Sequence, residues 1–182
     1  MRWRALFDDL EAQSEQAGAA QLAAEVADRT RSELATVRLA DRFRASVGRP
    51  LVLSVEAAGQ VAGRLSDVGA DWALLEAQGG REIVLPLGAV MTVVGLTRAS
   101  DPVAGQVGRR LDLRYALRGV ARSRSEVTVV LRDGTSVTGT VDRVLADHFE
   151  LAEHPAGEAR RPASVHGVRI IPLSALALLR AG

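Results

Sequence analysis

The chain repeats itself, and this repeat constrains the fold more than any other feature of the sequence. Residues 52–75 align with residues 128–151 at a constant offset of 76 and without a gap. The identical pairs in this register are Val61/Val137, Gly63/Gly139, Val68/Val144, Ala70/Ala146, Asp71/Asp147 and Leu75/Leu151. Residues 83–90 align with residues 169–176 at an offset of 86, and both blocks contain Pro-Leu-x-Ala. The sequence therefore predicts two copies of one structural unit, with a longer loop in the second.

Each copy has the pattern of several short β-strands. Residues 51–55 and 126–131 are β-branched and apolar, and each run precedes a glycine-containing turn, at 57–59 and at Asp133-Gly134. The next strands, predicted at 61–68 and 137–144, contain Gly63 and Gly139 at the same position. A repeated glycine inside a strand indicates a sharp bend or a close backbone approach. Further strands are predicted at 72–76, at 148–152 and in the two proline-containing blocks, so each copy is expected to form a small, strongly curved five-stranded barrel.

Helices are predicted before each barrel. Residues 2–47 contain no proline, and their apolar residues recur every three to four positions, which predicts a long helical segment that can divide at Gly18. A second, linking helix is predicted to begin at Asp101-Pro102 and to run to about Arg122. The expected fold class is mainly β with helices (α+β). The predicted parts are an N-terminal helical segment at 1–35, a helix and barrel at 36–97, and the linking helix with the second barrel at 98–182.

Composition excludes several classes of protein. The chain has no cysteine, which removes disulfides, thiol catalysis and cysteine-ligated zinc. Its longest uncharged run, residues 83–97, is shorter than the roughly 20 residues that a membrane helix needs. No apolar leader follows Met1, so we expect a cytoplasmic protein that does not contact membranes.

The sequence offers little for catalysis or for binding a metal. It contains no Gly-x-Ser-x-Gly, no phosphate-binding Gly-x-x-x-x-Gly-Lys and no dinucleotide Gly-x-Gly-x-x-Gly motif. All three histidines lie in the second copy, and His154 and His166 fall in a polar loop, where histidines are usually solvated. We therefore expect a protein that is not an enzyme and that has no metal or other cofactor.

The repeated unit resembles the Sm-like barrels of the LSm and Hfq type. The closer copy is VTVVLRDGTSVTGTV at residues 127–141, and the other is LSDVGADWALL at 65–75 with LPLGAV at 85–90. The resemblance spans about residues 36–96 and 111–180. It implies ring assembly and binding of single-stranded RNA through two loops. In the family the first loop follows an Asp late in the bent-strand region, which Asp71 and Asp147 match here, followed by Trp72 and His148. The second normally has a basic residue, whereas this chain has the uncharged Pro86-Leu-Gly and Pro172-Leu-Ser.

Arginines cluster on the predicted linking helix, with Asp112 as the only acid among them: Arg109, Arg110, Arg114, Arg118, Arg122 and Arg124. Four of them recur every fourth residue and would form a stripe on one helix face. Such a stripe can bind a phosphate backbone, or it can be an ordinary solvated face. The acidic residues between 5 and 28 could also neutralise it within an oligomer.

Aromatic residues give two further alternatives. Trp3, Leu6, Phe7 and Leu10 form an apolar helix edge that could dock into a partner protein or a sister subunit, or pack on the barrels of the same chain. Trp72 and Phe149 could stack on a base or belong to the core.

The leading hypothesis is a regulatory protein that binds RNA through the linking-helix arginines and the loops at Trp72 and His148. The rival is an interaction adaptor, and a third possibility is self-assembly through open strand edges.

Overall fold

The computed structural model describes residues 21–22, 25–102, 111–157 and 165–181. Its contacts divide the chain into two compact units, Met1–Val37 and Arg38–Gly182. In the first unit residues 25–36 form helix α1, which is stabilised by ion pairs one turn apart, Arg29–Glu33 at 3.2 Å and Arg31–Asp28. The edge formed by Trp3, Leu6, Phe7 and Leu10 lies outside the described residues, as does Gly18.

The second unit begins with a short helix and the five strands of the first copy. Helix α2 (Leu39–Arg44) places Phe43 in the core, and the Asp41 carboxylate accepts a hydrogen bond from the Arg38 backbone N–H. The strands are β1 (Pro50–Val55), β2 (Gly59–Val68), β3 (Trp72–Glu76), β4 (Glu82–Pro86) and β5 (Val90–Val94). A 3₁₀ turn, Leu87–Ala89, separates β4 from β5.

The second copy has the same elements in the same order. Helix α3 (Leu113–Ser123) precedes β6 (Glu126–Leu131), β7 (Ser136–Val144), β8 (His148–Glu153), β9 (Gly167–Pro172) and β10 (Leu176–Ala181). A 3₁₀ turn, Leu173–Ala175, again separates the last two strands. Mainly β structure with helices is therefore confirmed as the fold class.

Strand pairing follows the sequence repeat residue by residue. Leu51 opposes Gly63 as Val127 opposes Gly139, and Trp72 opposes Pro86 as His148 opposes Pro172. Both second strands have a register shift at the same position, between Leu65 and Asp67 in β2 and between Val141 and Arg143 in β7. Such a bulge bends a strand and increases its twist. The two copies therefore have the same strand pairing and the same bulge position.

All ten strands belong to one antiparallel sheet with the order β5-β1-β2-β3-β4-β10-β6-β7-β8-β9. The copies meet where β4 pairs with β10, through Val84 opposite Leu179 and Ile83 opposite Arg180. Their cores also interlock at this contact. Val130, Ala177 and Leu178 of the second copy join the core of the first, and Trp72 and Val84 of the first join the core of the second.

The predicted helix boundaries were wrong in two places. Residues 101–102 and 111–112 are not helical, so the segment from Asp101 to Arg122 is not one helix, and α3 begins at Leu113 with Asp112 as its N-cap. The N-terminal helical pattern is interrupted at residues 37–38, and α2 ends at Arg44, before the predicted stop at 48–50. The first error has a tertiary cause, because the N–H of Leu113 at the start of α3 donates a hydrogen bond to the Asp71 carboxylate of the first copy.

Candidate nucleic-acid interface

Helix α3 begins beside the repeated loop of the first copy. The Asp112 side chain accepts a hydrogen bond from the Tyr115 N–H at 3.1 Å, as an N-cap residue does. The Asp71 carboxylate, from the loop between β2 and β3, accepts a second one from the Leu113 N–H at 2.7 Å. Leu113 and Leu117 are buried against the sheet, so the arginine side chains occupy the opposite part of the helix surface.

The loop of the first copy is covered by the residues that lead into α3. The Leu111 carbonyl accepts hydrogen bonds from the Ala70 N–H and the Trp72 indole N–H, both at 2.9 Å. Trp72 is buried, so of the two predicted alternatives, stacking on a base or packing in the core, it packs in the core. Gly69 makes this approach possible, since a Cβ there would lie 2.3 Å from the Leu111 oxygen. Burial raises the pKa of Asp71, although its hydrogen bond from Leu113 opposes the shift.

The corresponding loop of the second copy is open. The Asp147 side chain is 88% exposed, and its Oδ1 accepts a hydrogen bond from His148 Nδ1 at 2.7 Å, which lowers the pKa of Asp147. Its backbone is held as in the first copy, because the Leu173 N–H donates to the Asp147 carbonyl as the Leu87 N–H donates to the Asp71 carbonyl, each at 2.8 Å. The two loops thus share a backbone contact and differ in what covers them.

The arginines of α3 differ in how far they are neutralised. Arg114 pairs with Asp112 at 2.5 Å, and its Nη1 also reaches the Ala146 carbonyl at 3.4 Å. Arg118 and Arg122 are exposed and make no ion pair within 4.0 Å to any residue that the structure describes. Arg109 and Arg110 lie outside the described residues. The described part of the stripe therefore presents two arginines, one helical turn apart, whose charges face solvent.

A shallow cleft lies beside these two arginines. Arg124, in the left-handed conformation directly after α3, reaches across to Asp142 at 2.8 Å. The cleft has a volume of about 420 Å³ and is lined by Arg118, Ala121, Arg122, Arg124, Asp142 and Val144. At the other end of α3, Arg114 touches the backbone of the open Asp147-His148 loop. The structure therefore brings three predicted groups to one helix: the arginine stripe along it, Asp71 at its start, and the second-copy loop beside Arg114.

His154 was expected to be solvated in a polar loop, and the structure shows that it is buried. His154 is buried, with its Nε2 2.9 Å from the Thr140 hydroxyl and its Nδ1 3.1 Å from the Pro155 carbonyl, so it holds the loop after β8. Across the described ranges, no group of three or more His, Asp or Glu side chains is placed to hold a metal ion.

Sequence analysis missed one charged contact between the two copies. Glu56 and Arg132 pair at 2.6 Å, and they occupy the same position of the repeat at the offset of 76. Their opposite signs at equivalent positions were the signal that could have identified them.

No protein-family model matches the chain, and no curated protein matches it. Among the described residues, none of the helices is both long enough and apolar enough to cross a membrane.

Proposed function

We propose that this chain is a non-enzymatic, Sm-like protein in which each copy curls into a small barrel, and that it binds single-stranded RNA along α3. The observation that supports this role is the exposed pair Arg118 and Arg122, which have no ion-pair partner in the described part of the chain. A guanidinium group can donate two parallel hydrogen bonds to a phosphate, and both groups are available to do so.

The surroundings of this pair suit a phosphate backbone better than a folded acidic partner. Arg114 and Arg124 extend the basic surface in both directions, and each is held in position by one acid, Asp112 or Asp142. The cleft between Arg118 and Arg124 is open and shallow, as a site that follows a flexible strand would be. The open loop at Asp147 and His148 lies at the Arg114 end and supplies a ring on which a base can stack.

Two features favour the second copy over the first as the binding half. Asp71 and Trp72 are committed to capping α3 and to the core, so their loop offers no free side chain to a ligand. Asp147 and His148 occupy the same positions of the second copy, where the Asp147 side chain is 88% exposed and the His148 side chain 29% exposed. We therefore assign the proposed RNA contacts to α3 and the second copy alone.

The test is fluorescence anisotropy of a labelled single-stranded RNA of about 20 nucleotides, titrated with protein at several salt concentrations. The double variant R118A/R122A should weaken binding roughly tenfold at low salt. It should also reduce the slope of log K against log salt by about 1.4, since each phosphate contact on a single strand contributes about 0.7.

The matched control is R81A/R98A, which removes the same charge from two exposed arginines of the first half. We expect this variant to bind like the wild type. Equal losses in the two double variants would mean that net charge alone attracts the RNA. Either that result or an absence of wild-type binding at low salt would contradict the proposed interface.

A further inference from the structure

The loop after the third strand of each copy differs in length and in what it contacts. Residues 77–81 join β3 to β4, whereas the longer loop 154–166 joins β8 to β9. In the longer loop, His154 Nε2 lies 2.9 Å from the Thr140 hydroxyl of β7. The Gly157 N–H donates a hydrogen bond to the Glu126 carboxylate of β6 at 2.8 Å. The second copy therefore covers part of the outer face of β6 and β7, the face turned away from its core, with its own loop.

The equivalent outer face of the first copy, on β1 and β2, is uncovered. Four of its residues are exposed: Pro50, Val52, Ala62 and Arg64. None of the four equivalent residues of the second copy is exposed, and Thr140 is only 1% exposed: Glu126, Thr128, Thr138 and Thr140. The two copies share their strand pairing, so the longer loop accounts for this difference.

The uncovered face is also the more apolar of the two. Val52 lies opposite Val94 of β5 on one side and opposite Ala62 of β2 on the other, so the three form an apolar row across three strands. Val52 is 42% exposed and Val94 is 69% exposed. The second copy has Thr128, Thr138 and Arg180 at the equivalent positions. A contiguous apolar surface that the chain itself leaves exposed is typical of an interaction site.

This apolar row forms the floor of a groove with a charged rim. The groove has a volume of about 910 Å³, which is within the range of ligand-binding clefts. Its rim has two exposed arginines, Arg64 and Arg81, and one acid, Glu76. Arg64 is held in place because its Nη1 donates to the Gly48 carbonyl. Neither arginine makes an ion pair within 4.0 Å to any residue that the structure describes, so the rim attracts negative charge.

We propose that this groove of the first copy binds an extended, acidic peptide segment of a partner protein. Apolar side chains of the segment pack on Val52, Ala62 and Val94, and its carboxylates accept hydrogen bonds from Arg64 and Arg81. A peptide is the expected occupant because a peptide segment, the loop after β8, covers the equivalent face of the second copy. The inference goes beyond RNA binding and uses no residue of α3.

The experiment selects phage-displayed random peptides of about 12 residues on the full chain and measures the enriched peptides by fluorescence anisotropy. The enriched peptides should combine acidic and apolar residues. Each exposed ion pair is worth up to about fivefold in affinity, so R64A/R81A should weaken their binding roughly tenfold. A62E places an acid on the exposed floor of the groove and should weaken the same peptides by a similar factor.

Two controls distinguish the groove from general effects of charge. R118A/R122A removes the same charge from α3 and should bind the peptides like the wild type, while it loses affinity for the labelled RNA. T138E makes a change to glutamate at the position of the second copy equivalent to Ala62 and should not alter peptide binding. Circular dichroism of each variant establishes that it is folded.

Three outcomes would overturn the proposal. The first is that no peptide is enriched on the wild type. The second is that the enriched peptides bind R64A/R81A and A62E as tightly as they bind the wild type. The third is that A62E loses RNA binding instead of peptide binding, since the groove would then belong to a nucleic-acid surface. The arginines of α3 are unchanged in A62E and in R64A/R81A, so each of these outcomes is distinguishable from a failure of the RNA interface on α3.

Discussion

Asp71 and Asp147 occupy the same position of the repeat, but their carboxylates have different hydrogen-bond partners. The Asp71 carboxylate caps α3 through the Leu113 N–H, whereas the Asp147 carboxylate is exposed and bonds only to its neighbour His148 among the side chains described. Loss of an N-terminal cap acceptor costs about 0.5–2 kcal/mol. We therefore expect D71A to lower the free energy of unfolding by about 1 kcal/mol in urea titrations, and D147A, its matched control, to leave it within error.

The variant D71N separates the cap from the charge, because an amide oxygen can still accept from Leu113. Burial raises the pKa of Asp71, so the folded state holds this proton more tightly than the unfolded state does. The stability that protonation contributes is present below the unfolded pKa of about 4 and is lost as pH rises through the higher folded pKa. D71N should therefore become more stable relative to the wild type between pH 4 and pH 7. If D71N were as unstable as D71A, the hydrogen bond could not be the reason for the loss.

At the scale of elements, the sequence predicted strands better than helix boundaries. Both ends of β3 and β6 were predicted, since short runs rich in apolar residues between turn residues define such strands locally. The start of α3 was predicted wrongly, because Asp101-Pro102 has the residue pattern of a helix N-cap whereas the helix begins at Leu113. The observed cap includes Asp71, which lies 42 residues before Leu113. No local pattern contains that contact.

The same limit applies to the candidate site. Periodicity predicted the arginine stripe on one helix, and α3 holds Arg114, Arg118 and Arg122 in this way. It did not predict that Asp112 neutralises one of them, or that Trp72 is buried beneath Leu111. Both facts depend on where Leu111 and Asp112 lie against the first copy and the start of α3. A sequence shows which residues share an element, but the neighbours of that element come from the tertiary fold.

Strands β2 and β7 each contain a glycine at which the neighbouring strand approaches closely, and the two glycines differ in how tightly they are packed. A Cβ at Gly63 would lie 2.8 Å from the Glu76 carbonyl oxygen, and one at Gly139 would lie 2.2 Å from that of Ala152. Both obstacles are backbone atoms of the neighbouring strand, so the sheet itself must move to admit a methyl group. We expect G63A and G139A to lower the free energy of unfolding, by about 1–3 kcal/mol for such overpacking, with the larger loss at Gly139.

The control for these substitutions lies on α3. Apart from its chain neighbours and the backbone of its own helix, no heavy atom lies within 4 Å of a Cβ built at Gly119, and the residue is helical. G119A should therefore raise the free energy of unfolding, by up to about 1 kcal/mol from helix propensity. Urea unfolding of the three variants compares the two effects directly. If G139A were more stable than the wild type, the close approach of the neighbouring strand could not be the reason for a glycine at this position.

At the scale of the whole molecule, the duplicated unit explains how the two copies hold together. Two copies joined through β4 and β10 form a single ten-stranded sheet rather than two separate sheets. Val130, Ala177 and Leu178 of the second copy complete the core of the first across this contact. Duplication thus supplies a strand pairing and a shared core that join the two copies.

The pair Glu56 and Arg132 tests whether charge complementarity contributes to the contact between the two copies. Each side chain is about one-third exposed, so the pair should contribute at most about 1 kcal/mol to stability. E56R brings two like charges together at this position. We expect it to lower the free energy of unfolding by about 1 kcal/mol in urea titrations.

The double variant E56R/R132E exchanges the two charges and restores opposite signs at the contact between the copies. We expect its free energy of unfolding to return to nearly the wild-type value. Recovery would separate charge complementarity from damage to the fold, because the double variant carries more changes than E56R yet should be more stable. If E56R were as stable as the wild type, the pair would contribute nothing to the contact between the two copies.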